Sequence, residues 1–457
     1  MSDPIALTGR TRPSPAQVAM VSLIGTTIEW YDFQAYGLAA SLVFSKLFFP
    51  SFDSVAGTLL SFATFGVGFL ARPVGSIVFG HLGDRLGRRR VLMASLLLMG
   101  TSSVLIGCLP TYTSIGVAAP ILLVLLRLCQ GFGLGGEWGG AAVYAVESAP
   151  EGQRGRYGGW PQMGSPLGLL LATIVFALVG LLPEQAQHSW GWRVPFLASA
   201  LLVVVGLYMR RNLADTEAFA KARASKSLNR FPVLSVLRNN PKELLLTFGM
   251  FSATSGGFYM FVTFIPAFGT TTLGMSSQLF FVGLLVFAVV ELLAVLIGTW
   301  LTDKIGRRPL FIGCAIFTIF ASVPLFLAVM TKSPVLVVLV LLVGGLLIGV
   351  MFGIPGALAP ELFPPEVRYS GAGLGYQLSA AVVGGLTPVV TTAVAAAAGS
   401  TWPVALLLAF CAAIGLFAVL KCRETGRRRL PEPGSGGGLA TPAGEGWTHE
   451  VRSAKDA

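Results

Sequence analysis

The chain has 457 residues, of which 54% are hydrophobic and 12% charged, and its mean hydropathy is +0.75. Soluble domains carry roughly 25% charged residues, so this composition excludes an ordinary water-soluble domain. The net charge of +11 is spread along short loops, where it suits anionic lipid headgroups and requires no nucleic-acid partner.

Apolar runs of about 18–25 residues, long enough to cross roughly 30 Å of hydrocarbon, recur throughout. A polar segment, 1–15, precedes span 1 at Ala16–Ser41. That run contains Glu29 and Asp32 and lacks a small-residue cleavage site, so it reads as a retained helix and not a signal peptide. Spans 2 to 6 are expected near Val55–Phe79, Val91–Leu109, Val117–Ser148, Tyr157–Leu182 and Val194–Arg211. A polar loop at 212–242 comes next. Spans 7 to 12 follow near Glu243–Phe268, Gln278–Leu301, Leu310–Met330, Val335–Ala359, Gly371–Ala398 and Trp402–Cys422. The tail, 423–457, contains GSGGGLATPAGEG and is expected to be disordered. The sequence therefore predicts an all-α membrane protein of about twelve transmembrane helices, in two six-helix bundles at 16–211 and 243–422.

Two repeats mark a duplication. Asp84-Arg85-Leu86-Gly87-Arg88-Arg89 returns 219 residues later as Asp303-Lys304-Ile305-Gly306-Arg307-Arg308, and the pair Glu147 and Arg154 returns 214 residues later as Glu361 and Arg368. Paired six-helix halves with a binding site between them near the midplane are the architecture of a secondary transporter. Most Lys and Arg fall on one side of the expected spans, while the opposite loops hold only Lys46 and Lys332. The positive-inside rule then places both termini and the central loop in the cytoplasm of a cell-membrane protein. The five cysteines, Cys108, Cys129, Cys314, Cys411 and Cys422, contain no CxxC pair and indicate neither a disulfide framework nor a zinc site.

Ionisable groups within hydrocarbon are costly and face a partner or water, which makes them the first functional candidates. Glu29 and Asp32 share a face of span 1, and Tyr36 extends that stripe. Two close carboxylates cannot both ionise cheaply in a low dielectric, so one of them is expected to take up a proton. Glu137 in span 4 and Glu291 near the middle of span 8 are further proton-coupling candidates. Arg127 and Arg72 could each bind a substrate carboxylate bidentately; Arg127 is favoured for substrate binding or coupling, whereas Arg72, beside Pro73, reads mainly as structural, with coupling as its alternative. Gln162, Tyr259, Tyr376 and Gln377 are candidates for neutral hydrogen bonds to a substrate. Glycines 131, 133, 135, 136, 139 and 140 in span 4 allow helices to approach closely.

The stretch Gly80-x-x-x-Asp84-Arg85-x-Gly87-Arg88-Arg89 resembles the loop motif between helices 2 and 3 of the major facilitator superfamily, and the copy at Asp303 resembles that family's motif between helices 8 and 9. Glu29-Trp30-Tyr31-Asp32-Phe33, Ala71-Arg72-Pro73, Arg127-x-x-Gln130-Gly131, Gly135-Gly136-Glu137-Trp138-Gly139-Gly140 and Gly191-Trp192-Arg193-Val194-Pro195-Phe196 resemble the metabolite:proton symporters, in the shikimate-like and proline/betaine-like branches. The resemblance implies proton-coupled import of a small organic acid or osmolyte, driven by the proton gradient with no cofactor. Proton-coupled antiport stays open. The copy at span 8 has Thr299 where the first has Gly80, so a tight backbone approach is not expected there, and the short tail lacks the long helical extension of the osmosensing relatives. On the cytoplasmic side, Gly80, Asp84, Arg85, Gly87, Arg88, Arg89, Glu147, Arg154, Asp303, Arg307, Glu361 and Arg368 are read as a gate. In it Asp84 caps a neighbouring helix, which the family's geometry places near Gly371, and Arg88 or Arg89 pairs with Glu147.

No HExxH, nucleophile elbow or Walker loop occurs, and none of the three histidines, His81, His188 and His449, lies deep in a span. An enzyme or an ATP-driven pump is therefore not expected. A channel would need repeated polar rings, which these single acids do not form. The partners implied are a small solute, the proton and the bilayer, with no obligate protein partner.

Overall fold

The computed structural model describes residues 14–52, 54–86, 88–210 and 232–426, with the side chains at 41, 42, 54, 55, 58, 83–86, 88–90 and 210 outside that description. Among the described residues there is no strand, and twelve long helices account for the architecture. They are α1 (Pro15–Leu42), α2 (Ser54–Leu86), α3 (Arg88–Cys108), α4 (Ala118–Glu147), α5 (Arg154–Gly180), α6 (Val194–Arg210), α7 (Pro241–Thr271), α8 (Ser277–Ile305), α9 (Arg307–Met330), α10 (Pro334–Leu362), α11 (Arg368–Ala398) and α12 (Trp402–Lys421). Eleven described helices are long and apolar enough to cross a membrane. The twelfth, α1, has 28 residues, sufficient at 1.5 Å per residue, and carries the buried polar residues Glu29, Asp32 and Gln34. Its start is set locally by Ser14, which accepts from the Gln17 N–H while the Gln17 side chain accepts from the Ser14 N–H, with Pro15 at the first helical position.

Within each half the same helices pack together. α1 lies against α5 and α6, α2 against α4, and α3 against α6. The second half repeats this with α7 against α11 and α12, α8 against α10, and α9 against α12. The halves meet along two equivalent seams, α2 against α11 and α8 against α5. Glycine is obligatory where α2 crosses α4, because a Cβ on Gly131 would fall on the Gly68 carbonyl and one on Gly135 on the Arg72 carbonyl.

Several expectations need correction. The span-2 to span-3 connection is almost entirely helical, since α2 continues to Leu86 and α3 begins at Arg88; extension of both helices leaves only residue 87, itself outside the described residues. Span 4 is broken into Ala118–Leu134 and Trp138–Glu147 by a turn at 135–137. Span 5 breaks after Gln162, whose carbonyl would need an N–H from residue 166, and Pro166 has none. Helices α7 and α11 each contain one wider π-helical turn, Met260–Phe264 and Ala380–Gly384. Within the polar segment 212–242, the described part contains a helix, Pro232–Asn239, that buries Pro232 and Val236. The tail does not begin at 423, because residues 423–426 remain packed against the bundle. Residues 427–457, where disorder is expected, lie outside the described residues.

Candidate functional site

Two polar regions emerge, one near the middle of the bundle and one at the end that carries the α4–α5, α8–α9 and α10–α11 connections, called here the basic end.

In the middle, α1 turns Asp32 toward its own half. The carboxylate accepts a hydrogen bond from Ser199 of α6, and its neighbours include Ser103 of α3 and Arg127 of α4. Arg127 Nη1 donates to Gln130, whose Nε2 donates to Ser103 Oγ at 2.7 Å. The Arg127 guanidinium lies 4.2 Å from the Tyr36 ring centroid, 4.4 Å from Phe33 and 5.0 Å from Phe65, an arrangement in which aromatic faces attract the cation. The Tyr36 hydroxyl donates to Thr64 Oγ1 at 2.8 Å. Asp32 and Arg127 thus share a pocket without a direct ion pair, and Asp32 Oδ2, Arg127 Nε and Arg127 Nη2 make no hydrogen bond.

Arg72 of α2 stacks on the same Phe33 ring, at 4.2 Å, and on Phe69 at 4.8 Å. It lines a small cavity that opens between the halves, together with Trp30, Ser165, Phe258, Tyr259 and Tyr376. The cavity's free volume is about 10 Å³, room for roughly one water. Trp30 closes it across the halves, with ring centroids 5.6 Å from Phe258 and 6.1 Å from Phe352. Of the residues lining this cavity, Tyr259 immediately precedes the π-helical turn of α7 and Ala380 begins that of α11, a distortion often found at functional sites.

The remaining candidates are distributed as follows. Glu29 is buried and lies electrostatically near Tyr259 and Tyr376, facing the second half, so it shares α1 with Asp32 but not its surroundings. Glu137 is buried at the break in α4. Glu291 is fully buried, neither oxygen has a hydrogen-bond partner, and Ser165 is its neighbouring hydroxyl. Gln162 is bonded at both ends of its amide, accepting from Trp138 Nε1 at 2.7 Å and donating to the Phe352 carbonyl at 2.7 Å across the halves. Gln377 reaches the Leu134 and Gly135 carbonyls at 3.4 and 3.5 Å, and Tyr376 packs on Trp138 with centroids 4.5 Å apart. Sequence reasoning missed Phe33, Ser103, Ser165 and Ser199, because a serine or phenylalanine in an apolar helix carries no signal of its own.

At the basic end the duplicated pairs cross over between the halves. Arg154 pairs with Glu361 at 3.1 Å, and Arg368 with Glu147 at 3.2 Å. Arg307 joins Glu361 at 3.4 Å and Asp303 at 3.2 Å. Asp303 accepts from the backbone N–H groups of Gly155 and Arg156, at 2.8 and 2.9 Å, and so caps the N-terminus of α5 in the other half. This corrects the expectation of a looser second copy. The backbone approach is tight, with Gly155 lying directly against Asp303 and Thr302 and Gly159 against Thr299, so the glycines sit on the facing helix. Gly80 lies near Tyr369 and Ser370 of α11, while Asp84, Arg85, Gly87, Arg88 and Arg89, with the expected cap near Gly371, lie outside the described side chains. Glu424, just beyond α12, accepts from the N–H groups of Arg307 and Arg308 at 3.0 and 2.9 Å, and the Thr425 hydroxyl donates to Glu361.

The family model described as Major Facilitator Superfamily matches residues 18–388. The inner membrane metabolite transport protein YhjE of Escherichia coli is 41% identical over 91% of this chain and 95% of its own length. The shikimate transporter of the same organism is 38% identical over 88% of this chain and 94% of its own. Among solved structures, the proton:xylose symporter XylE bound to 6-bromo-6-deoxy-D-glucose superposes with a TM-score of 0.71 at 18% identity, covering 92% of this chain and 98% of that one. That likeness is one of fold.

Proposed function

The chain belongs to the major facilitator superfamily of membrane transporters, and we propose that it is a proton-coupled symporter importing a small carboxylate-bearing metabolite or osmolyte, with shikimate-like acids, proline and betaine as the class. The observation that carries this reading is the pocket holding Asp32 against Arg127, next to a cavity walled by both halves. Ionised Asp32 compensates the Arg127 charge. Once Asp32 takes up a proton, that positive charge is uncompensated and attracts an anion into the adjoining cavity, so proton and anion bind better together than alone. Glu29, Glu137 and Glu291 are further proton sites in this scheme, and Tyr36 holds the Arg127 pocket in shape.

The pairs at the basic end hold the halves together on that side. We assign this side to the cytoplasm on the distribution of Lys and Arg, with both termini there. Release of solute then requires Arg154–Glu361 and Arg368–Glu147 to part while the opposite side closes, which is alternating access between two rigid halves. In proteoliposomes, shikimate, L-proline or glycine betaine should accumulate under an inward proton gradient. Uptake that persists unchanged when the gradient is collapsed overturns the coupling.

A further inference from the structure

The two buried arginines near the middle of the bundle are in different situations. Arg127 is enclosed by Gln130, Phe33, Tyr36, Phe65 and Gly68 and is not part of the cavity wall. Each guanidinium leaves two nitrogens without a hydrogen-bond partner, Nε and Nη2 in Arg127 and Nε and Nη1 in Arg72, but it is Arg72, 1% exposed, that lines the cavity. A buried guanidinium with unanswered donors is costly, and the cost is tolerable where a ligand supplies the acceptor. Two more buried donors stand unpaired in the same wall, the hydroxyls of Tyr259 and Ser165.

Building on the transport reading above, we propose that Arg72 receives the solute's carboxylate and that the solute is a compact monocarboxylate. The guanidinium fork matches a carboxylate bidentately, and stacking on Phe33 and Phe69 fixes its plane. Tyr259 and Ser165 donate to the same anion or to a substituent beside it. The rest of the wall decides the class. Trp30, Phe258, Phe352 and Tyr376 present aromatic surface, and Arg72 is the only charged residue in it. A second carboxylate would therefore be buried without a cation, whereas a cyclic or methylated body packs on the rings. In its closed form the cavity admits about one water, so the solute enters when Trp30 separates from Phe258 and Phe352.

The test is equilibrium binding to the purified full-length chain at fixed pH, by thermal shift and calorimetry, with shikimate, L-proline, glycine betaine, succinate and choline as probes. At least one of the three monocarboxylates should bind, and neither the dicarboxylate succinate nor choline, which lacks a carboxylate, should match it. Arg72→Gln should weaken that binding roughly 10–100-fold, the loss of hydrogen bonds to a charged group, and Arg127→Gln should weaken it less. If Arg72→Gln does not fold, Arg72→Lys carries the test, because it keeps the charge but loses the fork and should still bind several-fold more weakly. Succinate or choline binding as well as the best monocarboxylate, no monocarboxylate binding, wild-type affinity in the Arg72 variants, or a larger loss with Arg127→Gln each overturns the assignment. No gradient is involved, so a failure of proton coupling in liposomes leaves this result standing, and the reverse also holds.

Discussion

At the basic end, Glu361 is shared by Arg154, Arg307 and Thr425, Asp303 takes two backbone N–H groups and Arg307, and Glu147 takes Arg368. Near the middle of the same bundle, Glu291 has no hydrogen-bond partner, Asp32 leaves one oxygen unanswered, and Arg72 leaves two donors so. Both regions are buried, so solvent does not explain the difference. At the basic end Glu361, Asp303 and Glu147 are all answered, although Arg307 Nε and Arg368 Nη2 are left over, and the crossed pairs fix one arrangement of the two halves, since each must be given up before the halves can part. Charges left short of partners fix little by themselves and instead hold a place for a ligand or a proton. Under the proposed function, this is the contrast expected between a gate and a site.

The largest effect that sharpens this contrast belongs to the central region. Asp32→Asn should abolish gradient-driven accumulation in proteoliposomes and leave inside and outside concentrations equal, while solute exchange continues; accumulation at the wild-type level would remove Asp32 from the coupling. At the basic end, Glu361→Gln leaves Arg154 without its carboxylate and Arg307 with Asp303 alone, at a cost of about 3–5 kcal/mol. It should show as a lower Tm and faster labelling of a cysteine introduced on that side, and an unchanged rate of labelling would mean that the network is not a gate. A smaller effect is expected from exchanging one crossed pair. Glu147→Arg and Arg368→Glu should each raise labelling, and the double variant should recover part of the loss through a coupling of about 0.5–3 kcal/mol. Strict additivity would show that the two residues do not act together.

The smallest effect concerns Glu424. Burial pushes its carboxyl up, but the backbone N–H groups of Arg307, Arg308 and Gly426 and the Arg307 charge outweigh it and hold it below the usual carboxylate range. A carboxyl depressed in the folded state contributes stability above its unfolded value and loses it as the pH falls through the lower folded value. Glu424→Gln should therefore cost about 0.5–2 kcal/mol, the scale of a helix cap, and should flatten the decline of Tm on acidification below about pH 4.3. A variant whose Tm falls with acid as steeply as the wild type's would show that the cap contributes nothing to this dependence.

Much of this was legible in the chain. Helix number follows from apolar run length because hydrocarbon thickness leaves few alternatives. The ionisable candidates stood out because charge in such a helix is rare. Less legible were the breaks in α4 and α5 and the extension of α2 to Leu86, since polar residues at a helix end read as loop when nothing shows what they pack against. The roles of the arginines were least legible of all. Either could bind a carboxylate, with Arg127 favoured and Arg72 beside Pro73 read mainly as structural, and only the fold shows which guanidinium Gln130 and the aromatic rings enclose and which one faces the cavity.

By itself, then, the sequence determined an all-helical membrane protein in two repeated halves, with Glu147, Arg154, Glu361 and Arg368 as matched positions, because apolar length, charge placement and repetition are local properties of a chain. The tertiary structure alone decided that these four pair crosswise between the halves, that Asp303 caps α5, and that Glu424 and Thr425 belong to the same network. The physical reason is separation along the chain. Arg368 and Glu147 are 221 residues apart, and no periodicity within either helix carries information about which distant carboxylate its guanidinium will meet.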